Sequence, residues 1–336
     1  MSLQAGLTAI VDGNSPPFTF GSFDYLCAQA PLPLCSLVSS AANPLGTEPL
    51  CYARNIEFSN GSYLLFQPAT LFVHIIALIM TLTMIFYIRS KYTAVGRKEI
   101  VMFFYMYSAT IIVDFLLIGT IIPPASAVYK YFAALHSGLF VSTFWCLMYN
   151  GIVGFQWTED GTATSLWTLR LSTLAVLLIS FTISILTFLN LGLTAAAPMA
   201  LYIIYLILPA LFLVVYVILQ ITLVCTTLDD RWPLGDLLFS FFFFLMGLVL
   251  EFVFGPQLCE LATHYVDGMF FGTISTLLGV MLVYKFWDSI TKEDLEFAVS
   301  GKANVWEQRN PLIHEDELNG PHSSIAGPNG LKNEAW

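Results

Sequence analysis

Residues 68–88 read PATLFVHIIALIMTLTMIFYI, and this stretch decides the fold class because its 21 residues include one ionisable side chain, His74. Hydrocarbon offers no hydrogen bonds to peptide groups, so a run of this length is stable as a helix that crosses a bilayer of about 30 Å. Further apolar runs of spanning length lie at 100–122, 129–155, 166–190, 198–226, 234–255 and 265–287. The sequence therefore predicts seven membrane-spanning helices, and Pro209 should kink the fifth.

The composition of the whole chain agrees with a membrane protein. The chain is 57% hydrophobic and 11% charged, whereas soluble domains carry about 25% charged residues. The expected fold class is therefore all-α, a polytopic bundle of seven transmembrane helices. Acidic residues outnumber basic ones and the formal charge is −10, so no nucleic-acid partner is expected. No cofactor is expected either, and the first residues lack the pattern of a cleaved signal peptide.

The distribution of Lys and Arg predicts the orientation in the membrane, because basic loops stay in the cytosol. Of the 13 Lys and Arg residues, all except Arg54 and Lys130 would lie on one side. This bias places the N-terminus in the lumen and the C-terminus in the cytosol. Three parts follow: a lumenal cysteine-bearing segment at 1–67, the seven-helix domain at 68–287, and a cytosolic tail at 288–336. The tail is expected to be largely disordered after about residue 300, because it is rich in polar residues, Gly and Pro.

Four cysteines, Cys27, Cys35, Cys51 and Cys259, fall on the lumenal side, where disulfides persist. Four cysteines allow three pairings, and the sequence alone does not choose among them. We favour Cys27 with Cys35 and Cys51 with Cys259, and the alternative is four free, buried thiols. In the favoured pairing, the AQAPLPL stretch at 28–34 forms a stiff lid that is docked through Cys51 on the loop before the seventh helix.

Two short motifs lie outside the predicted spans. Asn60 begins an Asn-Gly-Ser glycosylation sequon, although it lies so close to the first span that its glycosylation is expected to be inefficient. Asp294 and Glu296 form a D-x-E pattern that resembles the diacidic export signal read by vesicle coat proteins. The structural alternative is the acidic first turn of a short helix, which the helix dipole favours.

Ionisable residues at membrane depth are costly and therefore count as candidates for function. They are His74, Asp114, His136 and Glu251, with Asp267 at the lumenal rim. One interpretation is a metal-dependent intramembrane hydrolase, because His and carboxylate side chains hold Zn²⁺. However, no HExxH motif occurs and no two His residues stand at i and i+4. We favour the alternative, in which these groups pair across the bundle and fix the helix register.

A seven-helix receptor is a further interpretation, since seven helices with an outside N-terminus are the arrangement of receptors. Topology alone says little about function, and the predicted cytoplasmic loops are too short to offer a large surface to an effector. A retinal protein would carry a lysine in the middle of the last helix, whereas Lys285 stands at its predicted cytoplasmic end.

Six blocks of the sequence resemble those of one family, the fungal chitin synthase export chaperones. The blocks are PLPLCSLV (31–38), CYARNIEF (51–58), KYTAVGRKE (91–99), EDGT (159–162), CELATHYVDGMFFGTI (259–274) and VYKFWDSITKEDLEF (283–297). They occur in order and with similar spacing from about residue 23 to 300. The resemblance implies a non-enzymatic, multi-pass chaperone of the endoplasmic reticulum membrane. Such a protein binds a chitin synthase, prevents its aggregation, and enables its export to the cell surface for synthesis of wall chitin.

Overall fold

A computed structural model describes residues 16–38, 46–58, 63–92, 94–155, 161–228 and 231–307. Side chains are described in the same ranges except at 57, 58, 63, 64 and 292–307. The chain divides into two compact units, Met1–Thr291 and Lys292–Trp336. The predicted sequon at Asn60 and the side chains of the D-x-E pattern at Asp294 and Glu296 lie outside the described residues.

Within the described ranges, seven helices are long and apolar enough to cross a membrane, which confirms the predicted all-α membrane bundle. They are α2 (Pro68–Ser90), α3 (Arg97–Ile118), α4 (Tyr129–Val153), α5 (Ala163–Phe188), α6 (Met199–Thr227), α7 (Pro233–Phe252) and α9 (Gly268–Glu307, of which Gly268–Thr291 is the span). Two short helices, α1 (Asp24–Gln29) and α8 (Gly255–Leu261), lie outside these spans. An antiparallel hairpin of β1 (Ile56–Phe58) and β2 (Tyr63–Leu65) precedes α2.

Most helix boundaries differ from the sequence prediction by one to four residues, and three of the differences have a visible local cause. Helix α3 ends at Ile118 rather than at 122, because Thr120 adopts a positive φ of 51° that stops the helix. Helix α5 begins at Ala163 rather than at 166, because the Thr162 side chain accepts a hydrogen bond from the Ser165 amide at 3.3 Å and caps the first turn. Helix α7 ends at Phe252, and α8 occupies the region that was predicted to be a loop.

Pro209 lies in α6 directly after a turn of π-helix at Ile203–Ile207. Proline has no amide hydrogen, and its ring collides with the carbonyl four residues earlier in a regular helix. The wider π-turn accommodates both effects, so the helix continues through the proline to Thr227. Tyr205 belongs to this turn and is buried in the bundle.

The N-terminal segment packs on the end of the bundle from which α2 starts. Phe23 is almost fully buried, and its ring lies edge-on to those of Tyr202 and Tyr205, with centroids 5.6 and 6.3 Å apart. The Tyr129 hydroxyl donates a hydrogen bond to the Pro33 carbonyl at 2.8 Å. A Cβ atom added to Gly255 would collide with the Gln29 carbonyl. The described part of this segment, residues 16–38 and 46–58, is called the plug, and its inner face is apolar.

Two disulfides stabilise this plug, and one of them attaches it to the bundle. Cys27 pairs with Cys35 across eight residues, with a Cα–Cα distance of 5.6 Å, and Cys51 pairs with Cys259 across 208 residues, with a Cα–Cα distance of 6.2 Å. This is the pairing that the sequence favoured. The first bond closes the proline-containing loop on itself, whereas the second ties the segment to α8, between the last two spans.

Polar contacts join the helices at the opposite end of the bundle. The Glu99 side chain is fully buried, and its Oε1 accepts hydrogen bonds from the Gly161 amide at 2.8 Å and the Ser165 hydroxyl at 3.1 Å. The start of α3 is thereby joined to the start of α5. Lys285 donates to Asp236 at 2.9 Å, which makes it a link between α9 and α7 rather than a simple membrane anchor.

We expect the double replacement Cys51→Ser with Cys259→Ser to lower the free energy of unfolding by about 2 to 4 kcal/mol, because it releases a long crosslinked loop. Protease resistance and thermal unfolding of the purified protein would measure the effect. Replacement of the free, exposed Cys225 by Ser is the control and should change neither. Equal stability of the double variant and the parent would contradict the structural role of this disulfide.

Glu99→Ala should lower the free energy of unfolding by about 1 to 3 kcal/mol, because it leaves the Gly161 amide and the Ser165 hydroxyl without their acceptor. Glu99→Gln keeps an oxygen at the same place and should have a smaller effect. Thermal unfolding of the two variants side by side provides the comparison. If Ala and Gln behave alike, these two hydrogen bonds do not stabilise the fold.

Candidate functional site

The ionisable residues predicted at membrane depth gather at one end of the bundle. His74 follows the start of α2 by six residues, Asp114 precedes the end of α3 by four, and His136 follows the start of α4 by seven. At a rise of 1.5 Å per residue, they lie about 6 to 10 Å from these helix ends. All three ends face the plug, so the residues lie near the plug end of the bundle.

The Asp114 carboxylate lies between two imidazole rings from different helices. Its Oδ2 is 2.9 Å from His74 Nε2, and its Oδ1 is 3.3 Å from His136 Nε2. The first contact has hydrogen-bond geometry, whereas Oδ1 makes no hydrogen bond despite its short distance to the second ring. One carboxylate therefore joins α2, α3 and α4.

The proton on the His74 ring can be placed from its partners. Nδ1 lies 2.8 Å from the Thr70 carbonyl, which only accepts, so Nδ1 carries a hydrogen. Nε2 then shares a single proton with Asp114, as an imidazolium with a carboxylate or as a neutral ring with a carboxylic acid. Either arrangement makes the pair neutral overall, which is the state that a hydrocarbon layer tolerates best.

This geometry fits pairing across the bundle better than it fits a zinc site. The two imidazoles contact different oxygens of one carboxylate, so their nitrogens do not converge on a common point. In the described part of the chain, the one group of three candidate ligands within 4.8 Å of one another is Cys51, Cys259 and His264. Its two sulfurs form a disulfide and therefore offer no thiolate.

Asp267 and Glu251 have different environments at the same end. Asp267 accepts a hydrogen bond from the Phe270 amide at 3.0 Å and so caps the first turn of α9. Burial raises the pKa of its carboxyl above the usual aspartate range, and the Phe270 amide partly offsets this effect. Glu251 lies against Gly272, where an added Cβ would stand 2.8 Å from its Oε2. Within the described residues, no hydrogen bond or ion pair reaches the Glu251 carboxyl.

A cavity of about 330 Å³ lies between the helices and contains these groups. Residues of α2, α3, α4, α6, α7 and α9 line it, and Leu32 and Pro33 of the plug cover its outer end. His74, Asp114, His136 and Glu251 all face it, and the rest of the lining is mostly apolar and aromatic. The structure thus brings four of the five predicted polar residues to one cavity and leaves Asp267 at its rim.

Two features of this arrangement were not predicted from the sequence. One is the cavity itself, including the buried tyrosines Tyr107 and Tyr205 that line it. The other is the burial of Glu99, which lies just before the predicted span at 100–122. Its position next to the buried Ile100, at the start of an apolar run, is the signal that could have indicated burial.

Comparison with known proteins gives one consistent family. Residues 19–301 match the family model described as Chitin synthase export chaperone. A protein of that name from Coccidioides immitis is 50% identical over 301 residues, which are 89% of this chain and 90% of that protein. A protein of the same name from Chaetomium globosum is 49% identical over 301 residues, which are 88% of this chain and 90% of that protein.

The likeness extends to a more distant fungus. A protein of the same name from Cryptococcus neoformans is 45% identical over 322 residues, which are 94% of this chain and 88% of that protein. No solved structure matches the chain. The family model covers the plug from residue 19 onward, the spans that line the cavity and the start of the tail. The chain belongs to the chitin synthase export chaperone family.

Proposed function

We propose that this protein binds a chitin synthase in the endoplasmic reticulum membrane, prevents its aggregation and enables its export to the cell surface. The observation that carries the proposal is the family match over residues 19–301. It is supported by relatives of the same name that share about half of their residues over nearly the full length of both chains. The downstream result would be chitin synthesis in the cell wall.

The shape of the bundle suits a chaperone for a membrane client. The spans α5 and α7 are only 28% and 33% buried, compared with 67% for the central α4. They therefore present apolar surface to lipid or to a partner's helices. A partner that binds the folded client and not its misfolded forms lowers the population of aggregation-prone states by mass action. This mechanism needs no energy source and no catalytic group.

The interior polar groups support a non-catalytic role. The His74–Asp114–His136 contacts join three helices, and Lys285 with Asp236 joins two more. Contacts of this kind hold a bundle in one register. We therefore propose that these contacts stabilise the fold of the chaperone and take no part in a reaction.

The orientation and the division into three parts belong to the same proposal. We place residues 1–67 in the lumen, 68–287 in the membrane and 288–336 in the cytosol. The Lys and Arg bias supports this orientation, and the disulfides support an oxidising compartment for the plug. The tail would then meet vesicle coat proteins through Asp294 and Glu296.

Deletion of the protein in its host should retain a fluorescently tagged chitin synthase in the endoplasmic reticulum and reduce the chitin content of the wall. Re-expression of a folded His74→Ala, Asp114→Ala, His136→Ala, Glu251→Ala variant should restore both, because the proposal assigns no chemistry to these residues. If the quadruple variant does not fold, Asp114→Asn alone provides the same test. Normal export and normal chitin after deletion would contradict the proposed function.

Replacement of Asp294 and Glu296 by Ala should slow exit from the endoplasmic reticulum and leave binding of the chitin synthase unchanged. The reason is that the proposal places the contact with coat proteins in the cytosolic tail and the contact with the client on the membrane spans. Co-purification measures binding, and microscopy of the tagged synthase measures exit. Replacement of Glu315 and Asp316 by Ala, farther along the tail, is the matched control. Unchanged exit in the Asp294, Glu296 variant would argue against an export signal at these positions.

A further inference from the structure

The cavity between the helices has the size and lining of a binding site. Its volume of about 330 Å³ falls in the range of about 300 to 1,000 Å³ that is typical of small-molecule pockets. Six of the seven spans contribute to its wall, and its ionisable groups all lie near the plug end. Because the lining is mostly apolar and its ionisable groups lie at one end, the cavity fits a molecule that has an apolar body and one polar end.

Several polar groups in the cavity make no hydrogen bond within the described residues. Asp114 Oδ1 is buried and makes none, although His136 Nε2 lies 3.3 Å from it. The Glu251 carboxyl and the hydroxyls of Tyr107 and Tyr205 have no hydrogen-bond partner in the part of the chain that the structure describes. All of these groups line the cavity, so a polar molecule bound there would supply the hydrogen-bond partners that the protein does not.

The electrostatics of the cavity favour a positively charged group. No Lys or Arg lines it, and both histidines face Asp114 rather than Glu251. Glu251 is thus left as the carboxyl in the cavity that no protein cation among the described residues faces, so an ionised Glu251 would attract a ligand cation and repel an anion.

The aromatic wall favours the same class of ligand. Phe140, Phe144, Tyr205 and Phe244 line the cavity, and Phe140 stacks on Tyr205 with ring centroids 5.1 Å apart. Aromatic faces attract ammonium groups and also pack against apolar chains. Carboxyls combined with aromatic rings recognise an amine that carries an apolar body.

The cavity wall offers a route to the membrane between α6 and α7. Ala210 on α6 and Leu248 on α7 both line the cavity, and both are exposed on the surface of the chain. The plug closes the other end through Leu32 and Pro33. A lipid-soluble molecule would therefore enter sideways from the bilayer.

We propose that the cavity binds an amphiphilic amine, with its ammonium group on Glu251 and its apolar body along the aromatic wall. An ammonium group pairs with an ionised Glu251, and a neutral amine takes the proton of a protonated one. Both routes end in the same ion pair. The proposal concerns a ligand of the bundle and does not depend on the identity of the client.

Photolabelling of the purified full-length protein in lipid nanodiscs tests the proposal. The probe is dodecylamine with a diazirine in its chain, and the matched control probe is the corresponding dodecanol. Mass spectrometry should place the amine label on cavity residues of α4, α6 and α7, and excess dodecylamine should remove it. Labels confined to outward-facing residues would show partition into the bilayer alone and would overturn the proposal.

Variants separate recognition of the amine from the presence of an apolar space. Glu251→Gln should reduce cavity labelling by the amine at least tenfold and leave labelling by the alcohol unchanged, while Glu260→Gln at the exposed rim should change neither. Ala210→Phe fills the cavity and should reduce labelling by both probes. If Glu251→Gln fails to fold, Ala210→Phe still tests whether the amine label lies inside the cavity. Equal labelling of parent and Glu251→Gln by the amine would overturn the proposal.

Discussion

The contact on which the bundle depends most is that of the Asp114 carboxylate with two imidazoles. In hydrocarbon, a charged group has no solvent to stabilise it, so its partners must come from the protein. Asp114 finds them on α2 and α4, and the Thr70 carbonyl fixes the orientation of the His74 ring. Three helices are thereby held at one depth relative to one another. Apolar packing alone fixes this register weakly, because lipid tails pack against a helix nearly as well as another helix does.

The two ends of the bundle are held by different chemistry. At the plug end, covalent bonds and an apolar inner face attach a segment of the chain that lies outside the spans. At the other end, Glu99 and the Lys285–Asp236 pair join neighbouring helices without a covalent link. The difference agrees with the proposed orientation, since disulfides persist in the lumen and not in the cytosol. A plug fixed in this way also closes the cavity that contains the polar cluster.

A membrane chaperone needs a stable surface and a stable interior at the same time. The outer faces of α5 and α7 remain apolar and available, while the interior polar contacts keep the helices in place. The cavity adds a second feature, because a ligand held by Glu251 would contact α7, whose outer face is one of these two apolar surfaces. A client and a small amine would then contact α7 from opposite sides.

The sequence by itself determined the number of spans, their order and the family, because an apolar run of spanning length has one stable form in a bilayer. It also identified His74, Asp114, His136 and Glu251 as unusual, since ionisable groups are rare at membrane depth. The tertiary structure alone decided that these four face one cavity, that Glu251 has no partner among the described residues while Asp114 has two, and that Glu99 is buried. Such facts depend on the rotation of each helix about its axis. That rotation is set by packing between helices far apart in the chain. The sequence does not encode it, because an almost uniformly apolar run has no period that shows which face of the helix points inward.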